Sequence, residues 1–139
     1  MIIVVDTNVF VSACLGQGAC LHVVSECLKG VHTPLMGAAL YAELEDVLGR
    51  KPLFLKSRLN LDERNELFDI FLATCRWTRI YFAWRPNLKD EADNHLIELA
   101  VAGGESCIVT NNVRDFKNPE LKFLDCVALT PAQFLQEQT

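Results

Sequence analysis

The run Ile2-Ile3-Val4-Val5, broken off abruptly at Asp6, constrains this chain more than any other feature. Four consecutive β-branched apolar residues leave neither face for water, so they predict a strand buried on both sides, as in a parallel sheet covered by helices. Asp6 then stands at the carboxyl end of that strand. A carboxylate so close to the core is partly withdrawn from water, which costs free energy unless something compensates it.

The rest of the sequence repeats the theme. Ser106 to Thr110, around Cys107-Ile108-Val109, and Leu124 to Leu129 predict two more buried strands. Val31 to Met36, interrupted by Pro34, and Trp77 to Trp84, with Arg76, Arg79 and Arg85 at its ends, predict two further ones. Helical spacing separates them. Leu21, Val24, Leu28 and Val31 recur at the right interval, with Gly30 as a stop, and Ala38 to Leu48 follows a period of 3.6 with Gly49 and Pro52 behind it. Asn60 opens a helix that places Asp62 and Glu63 at the positive end of its dipole and Leu67, Phe68, Phe71 and Leu72 towards the core. Ala92 to Ala102 is a helix closed by Gly103-Gly104, and Pro131 to Glu137 is one capped by Thr130. Alternating strands and helices predict an α/β fold with a central, mainly parallel five-stranded sheet. The 139 residues have room for a single domain, 1–139, that needs no disulfide or metal staple.

Several function classes fall away. Thr7 to Ser25 carries no Asp, Glu, Lys or Arg, but Asn8, Ser12, Gln17 and His22 interrupt it, so the expectation is a soluble, cytoplasmic chain with no membrane partner. The six cysteines form no C-x-x-C pair and read as reduced, buried thiols. His22, His32 and His95 have no zinc-ligand spacing. No glycine-rich phosphate loop and no G-x-S-x-G elbow follows either of the strongest strands. With thirteen Lys plus Arg against eighteen Asp plus Glu, the net charge of -5 excludes coating nucleic acid by bulk charge. A polyanion would need a local basic face or a bridging cation.

What remains is carboxylate chemistry at the strand tips. Val5 runs into Asp6-Thr7-Asn8, and Val109 runs into Thr110-Asn111-Asn112-Val113-Arg114-Asp115; in a parallel sheet these tips lie side by side, where ligands bind. Glu43 lies within an apolar helix, and Asp93 stands at the first turn of another, three residues after Asp90. Each also has an ordinary role open to it: Asp90 and Asp93 as helix caps, Glu43 as a solvated face residue, Asp115 as a turn former. Arg50, Lys51, Lys56, Arg58 and Arg64 concentrate five cations beside the Glu43 helix, with Arg114 and Lys117 on the other side. They form either a solvated basic face or a rail for an RNA backbone.

Taken together, Val4-Val5-Asp6-Thr7-Asn8-Val9, Glu43-Leu44-x-x-Val47-Leu48, Asp93-Asn94-x-x-Ile97-Glu98-Leu99-Ala100 and Val109-Thr110-Asn111-Asn112-x-x-Asp115-Phe116 resemble, in order and over almost the whole chain, the PIN-domain ribonucleases, particularly the branch described as toxins of toxin-antitoxin systems. The resemblance implies a PIN-like fold and an endoribonuclease that uses Mg2+ or Mn2+. It further implies an acidic cluster of Asp6, Glu43, Asp93 and a fourth acid, with Asn8 and Thr110 as supporting residues. Many relatives carry the fourth acid where this chain has Asn112; Asp115 matches the version in which it precedes the Phe. An RNA substrate, an antitoxin protein and a homodimer, for which Leu53-Phe54-Leu55 offers apolar residues, are the expected partners. Two other readings stay open: a PIN-like scaffold that binds RNA or protein without cutting, and a phosphatase-like hydrolase, against which Asn8 counts because it stands where an aspartyl-phosphate mechanism wants a second Asp.

Overall fold

A computed structural model describes residues 1–79, 94–104, 107–116 and 126–138; the side chains of Asn94 and Asp115 are outside that description. Strand β1 (Ile2–Val5) is followed by helices α1 (Thr7–Cys14) and α2 (Gly18–Leu28), strand β2 (Thr33–Met36) and helix α3 (Ala38–Leu48). A 3-10 turn at Lys51–Phe54 leads to α4 (Leu61–Thr74) and the short β3 (Arg76–Trp77); then come α5 (Asn94–Ala102), β4 (Cys107–Val109), β5 (Val127–Leu129) and α6 (Pro131–Glu137).

The five strands form one sheet in the order β3-β2-β1-β4-β5, and every neighbouring pair is parallel. The chain therefore starts in the middle, steps outward through β2 and β3, and returns to the other side of β1 for β4 and β5. That reversal makes the crevice between the carboxyl ends of β1 and β4 the switch point at which open α/β sheets bind ligands. Ile3, Val4 and Val5 are buried, as are Cys107, Ile108 and Val109 beside them, in register Ile3 with Cys107 and Val5 with Val109.

Helices flank the sheet. α5 lies against β1, β2 and β4, while α2 packs with α1, α4 and α6. The face α1 shares with α4 is aromatic, Phe10 meeting Phe68 and Phe71 at ring-centroid distances of 5.9 and 5.1 Å. From there the aromatic contacts continue outward, Phe68 stacking on Tyr41 and Tyr41 meeting Trp77 at 5.6 Å. The ends follow the sequence signals: Asn60 with Glu63 and Thr130 with Gln133 each close a reciprocal capping box, and Gly30 (φ 80°) turns the chain after α2.

Some expectations need correction. The charge-free stretch after Thr7 contains a helix the sequence pattern does not single out, α1, and it bends by 102° into α2. No single helix among the described residues is long and apolar enough to cross a membrane. β3 ends at Trp77, with a last backbone bond from the Thr78 N–H to the Met36 carbonyl (2.8 Å); residues 80–84 of the strand expected to Trp84 are outside the described residues, as are Asp90, Asp93, Ser106, Lys117 and the start of the strand expected from Leu124. Arg64 does not join a basic face: it is 5% exposed, its guanidinium lies 4.1 Å over the Phe54 ring and it donates to the Leu59 carbonyl. All six cysteines are free, five of them buried and Cys75 half-buried.

Candidate active site

Asp6 begins α1 without capping it. Its backbone carbonyl accepts the N–H groups of Val9 and Phe10, its own N–H donates to the Val109 carbonyl (3.0 Å), and its carboxylate makes no capping bond. The carboxylate instead takes the Thr110 hydroxyl at 2.7 Å and the Asn8 amide at 3.2 Å, both on Oδ2. Asp6 is 5% exposed and Thr110 is fully buried, so this pair sits inside the crevice between β1 and β4. Burial pushes the Asp6 carboxyl above its ordinary value, the Thr110 bond opposes that, and the neighbouring Glu43 charge raises it again; the net direction is upward.

Glu43 reaches the same place from α3. Its carboxylate accepts a hydrogen bond from His95 Nε2 of α5 at 2.9 Å. That bond is the largest influence on its acidity and holds the Glu43 carboxyl below the usual range, against desolvation and with the Thr7 hydroxyl acting in the same direction. Two carboxylates that feel one another thus lie at the switch point, one buried and raised, the other half-exposed and lowered by an imidazole.

A polar staple holds the two strand tips together. Asn111 donates its backbone N–H to Asn8 Oδ1 (3.2 Å) and its side-chain amide to Ser12 Oγ (3.3 Å), while the Asn112 N–H donates to Thr110 Oγ1 (3.0 Å). Asn8 and Thr110, named from the sequence, both touch Asp6. Asn112 contributes through its backbone, and the side chain that ties β4 to α1 belongs to Asn111. Asp115 lies in a 3-10 turn at Val113–Phe116, its side chain undescribed, and Asp93 is outside the described residues. Among the described residues no group of three His, Cys, Asp or Glu side chains converges as a metal cage.

Sequence reasoning passed over His95. Its adjacency to Asp93-Asn94 was the available signal, but its partner lies 52 positions away and only the packing of α5 beside α3 shows the pair. The basic residues are distributed. Arg50 pairs with Asp46 on the surface of α3, Lys51 is exposed, and Lys56 and Arg58 line a cavity of about 500 Å3 with Cys14, Leu15 and Leu21. That cavity adjoins the far end of the eight-residue α1, roughly 12 Å from Asp6 along the helix. Arg114 is exposed beside Asn112 and Thr130 in a smaller cleft at the tips of β4 and β5.

A family model described as PIN domain matches residues 2–114. Among solved structures, the fold is similar to a chain in the crystal structure of VapBC2 from Rickettsia felis bound to a DNA fragment from their promoter. The TM-score is 0.59 at 18% identity, over 94% of this chain and 98% of that one, a likeness of fold. No curated protein matches the sequence.

Proposed function

This chain belongs to the PIN domain family, and from that premise we propose that it is a metal-dependent endoribonuclease, the toxin of a toxin-antitoxin pair, using Mg2+ or Mn2+ and silenced by an antitoxin protein. The observation that carries the reading is the buried Asp6 carboxylate, held by Thr110 and Asn8 at the switch point of the sheet with the Glu43 charge as its neighbour. Neighbouring carboxylates in a partly desolvated site repel one another, so such an arrangement favours either protonation or a cation. The donors fit a magnesium-type ion: they are hard oxygens, and Mg2+ is usually held by only one or two carboxylates together with water and substrate phosphate.

In this reading Asp6 and Glu43 hold the ion, with Asp93 and Asp115 completing the acidic set. When bound, the ion supplies charge neutralisation at phosphorus and an acidified water. The chain's own residues do the positioning. Thr110 and Asn8 fix the Asp6 carboxylate through Oδ2 and leave Oδ1 unoccupied by either bond, and His95 sets the rotation of the Glu43 carboxylate. Hydrolysis of an RNA phosphodiester then gives a 5'-phosphate and a 3'-hydroxyl. Arg50, Lys51, Lys56, Arg58 and Arg114 contribute weak, salt-sensitive attraction to the backbone. The antitoxin finds support in the setting of the chain whose fold this one resembles, a VapBC2 structure, and exposed Leu53 and Leu55 give a homodimer an apolar contact.

Incubating the purified protein with single-stranded and looped RNAs, with Mg2+, Mn2+ or excess chelator, and mapping the ends, tests the proposal. Cleavage leaving 5'-phosphates, at least as fast in Mn2+ as in Mg2+ and abolished by chelation, is expected. Cleavage that persists in chelator overturns the metal mechanism. RNA binding without cutting under every condition makes the chain a scaffold.

A further inference from the structure

Beside the carboxylates, at the carboxyl ends of β2 and β3, lies an open groove of about 620 Å3 whose described lining is Ala38, Ala39, Trp77, Thr78, Arg79 and Glu98. Three relations tie it to the Asp6 site. Register pairs Ile3 with Pro34 and Met36 with Trp77, so Asp6, Gly37 and Thr78 stand at the same height on adjacent strand ends. Two strand spacings then separate Thr78 from Asp6, roughly 10 Å. Ala39 and Glu43 are four apart on α3, and Glu98 and His95 three apart on α5, so each helix presents one face both to the groove and to the Glu43–His95 pair.

The wall of the groove is an exposed aromatic ring. Trp77 is 55% exposed, an unusual position for an indole. Yet it is not loose, because Tyr41 meets one part of it at 5.6 Å and is itself stacked on Phe68 at the edge of the core. Arg79, two residues on, is exposed in the same groove. A braced aromatic face beside a guanidinium is how proteins hold an unpaired nucleobase and its phosphate, since every base has a π-face and the cation meets the backbone.

We propose that the Trp77–Arg79 groove is a nucleotide subsite, in which a single-stranded RNA stacks one unpaired base on Trp77 and places its adjoining phosphate on Arg79 so that the strand continues across the Asp6–Glu43 pair. The inference rests on the nuclease reading above and adds to it a requirement: the nucleotide next to the scissile bond must be out of a helix, because a base inside a duplex has no free face to offer.

The test uses the full chain in chelator, where nothing is cut. With Trp84→Phe, Trp77 is the sole tryptophan, and its fluorescence reports the groove. A short mixed-sequence single-stranded RNA should quench it, and the same sequence as a blunt duplex should not. Anisotropy of labelled RNA should show the dissociation constant rising about tenfold in Trp77→Leu, within the range of one base-aromatic stack, and by much less in Trp77→Phe. Arg79→Gln should lower the slope of log affinity against log salt by about 0.7, the contribution of one phosphate contact on a single strand. No quenching, or parental affinity in Trp77→Leu, overturns the subsite; a groove that serves a protein partner instead gives that result. If Trp77→Leu does not fold, Trp77→Phe quenching-free controls and the Arg79→Gln salt slope decide: an unchanged slope overturns the proposal. Cleavage in Mn2+ is scored separately, so that a chain which cuts RNA but ignores Trp77 refutes the subsite alone, and one that quenches without cutting refutes the nuclease alone.

Discussion

Asp6 is held in a conformation that suits a negative charge while standing in surroundings that disfavour one. Thr110 and Asn8 both donate to the same oxygen, Oδ2, so an amide oxygen in that position can accept both bonds. Asp6→Asn therefore removes the charge without dismantling the local network. The sign of its effect follows from the raised carboxyl. The folded state binds the Asp6 proton more tightly than the unfolded chain does, so Asp6 favours folding most below its ordinary value of 3.8 and progressively less as pH rises through the folded value. In chelator Asp6→Asn should melt a few degrees higher than the parent at pH 7, with the gap closing in acid, while RNA cleavage falls by orders of magnitude. A lower melt at neutral pH would mean that the carboxylate is a structural asset and not a strained one. Glu43 carries the opposite sign, since His95 holds its carboxyl below the usual range and its contribution is lost as pH falls through that lowered value. The fourth acid is a separate question at the same scale: Asp115→Asn should weaken the apparent Mn2+ affinity, and Asn112→Ala, whose link to Thr110 runs through its backbone N–H, should leave it nearly unchanged. Calorimetric titration with Mn2+ measures both.

The end of α5 shows how tightly the elements are fitted. At Gly103 a side-chain carbon would come within 2.2 Å of Leu35 Cδ1, and Leu35 is itself buried in β2. Gly103→Ala should cost about 1–3 kcal/mol of stability, the usual penalty for overfilling a packed core. Gly18, at the first turn of α2, has nothing within 4 Å of the same position, and Gly18→Ala should be neutral or gain up to about 1 kcal/mol. Denaturant melts of the two variants should move in opposite directions or at least differ by that margin; equal effects would mean that β2 yields to α5. The sequence made most elements legible because their signals are local. Ala38–Leu48 follows its apolar period to the residue, and Asn60, Thr130 and Gly30 mark helix ends by capping chemistry. α1 was not legible in that way. Thr7–Cys14 is only eight residues long and uncharged: its buried face of Val9, Phe10, Ala13 and Cys14 is opposed by the half-buried Asn8, Val11 and Ser12, so no charged face marks it in the sequence. β3 is short for a physical reason as well: it lies at the sheet edge, where Arg76 and Trp77 are both exposed and little burial sustains it.

For the molecule as a whole, the sheet order converts local motifs into a site. Asp6-Thr7-Asn8 and Thr110-Asn111-Asn112 could be placed side by side from the sequence because buried parallel strands leave few alternatives, and Val5 does pair with Val109. Pairings between helices carry no such signature, which is why Glu43 with His95, and the groove of Trp77 with Glu98, emerge only from the packing of α3 against α5. The chain carries a net charge of -5, so added salt of any kind relieves some general self-repulsion. A cation held at Asp6 and Glu43 would do something different, binding the folded state by mass action and stabilising it by about 2.7 kcal/mol at a hundred times its dissociation constant, or roughly 8 °C in Tm for a chain of this size. Melts of the parent, Asp6→Asn and Glu43→Gln should therefore be followed in rising Mn2+ at ionic strength held constant with a monovalent salt. The parent should climb with the logarithm of the Mn2+ concentration and the two variants much less. If all three climb alike, the ion acts on the overall charge and the switch point is not a metal site.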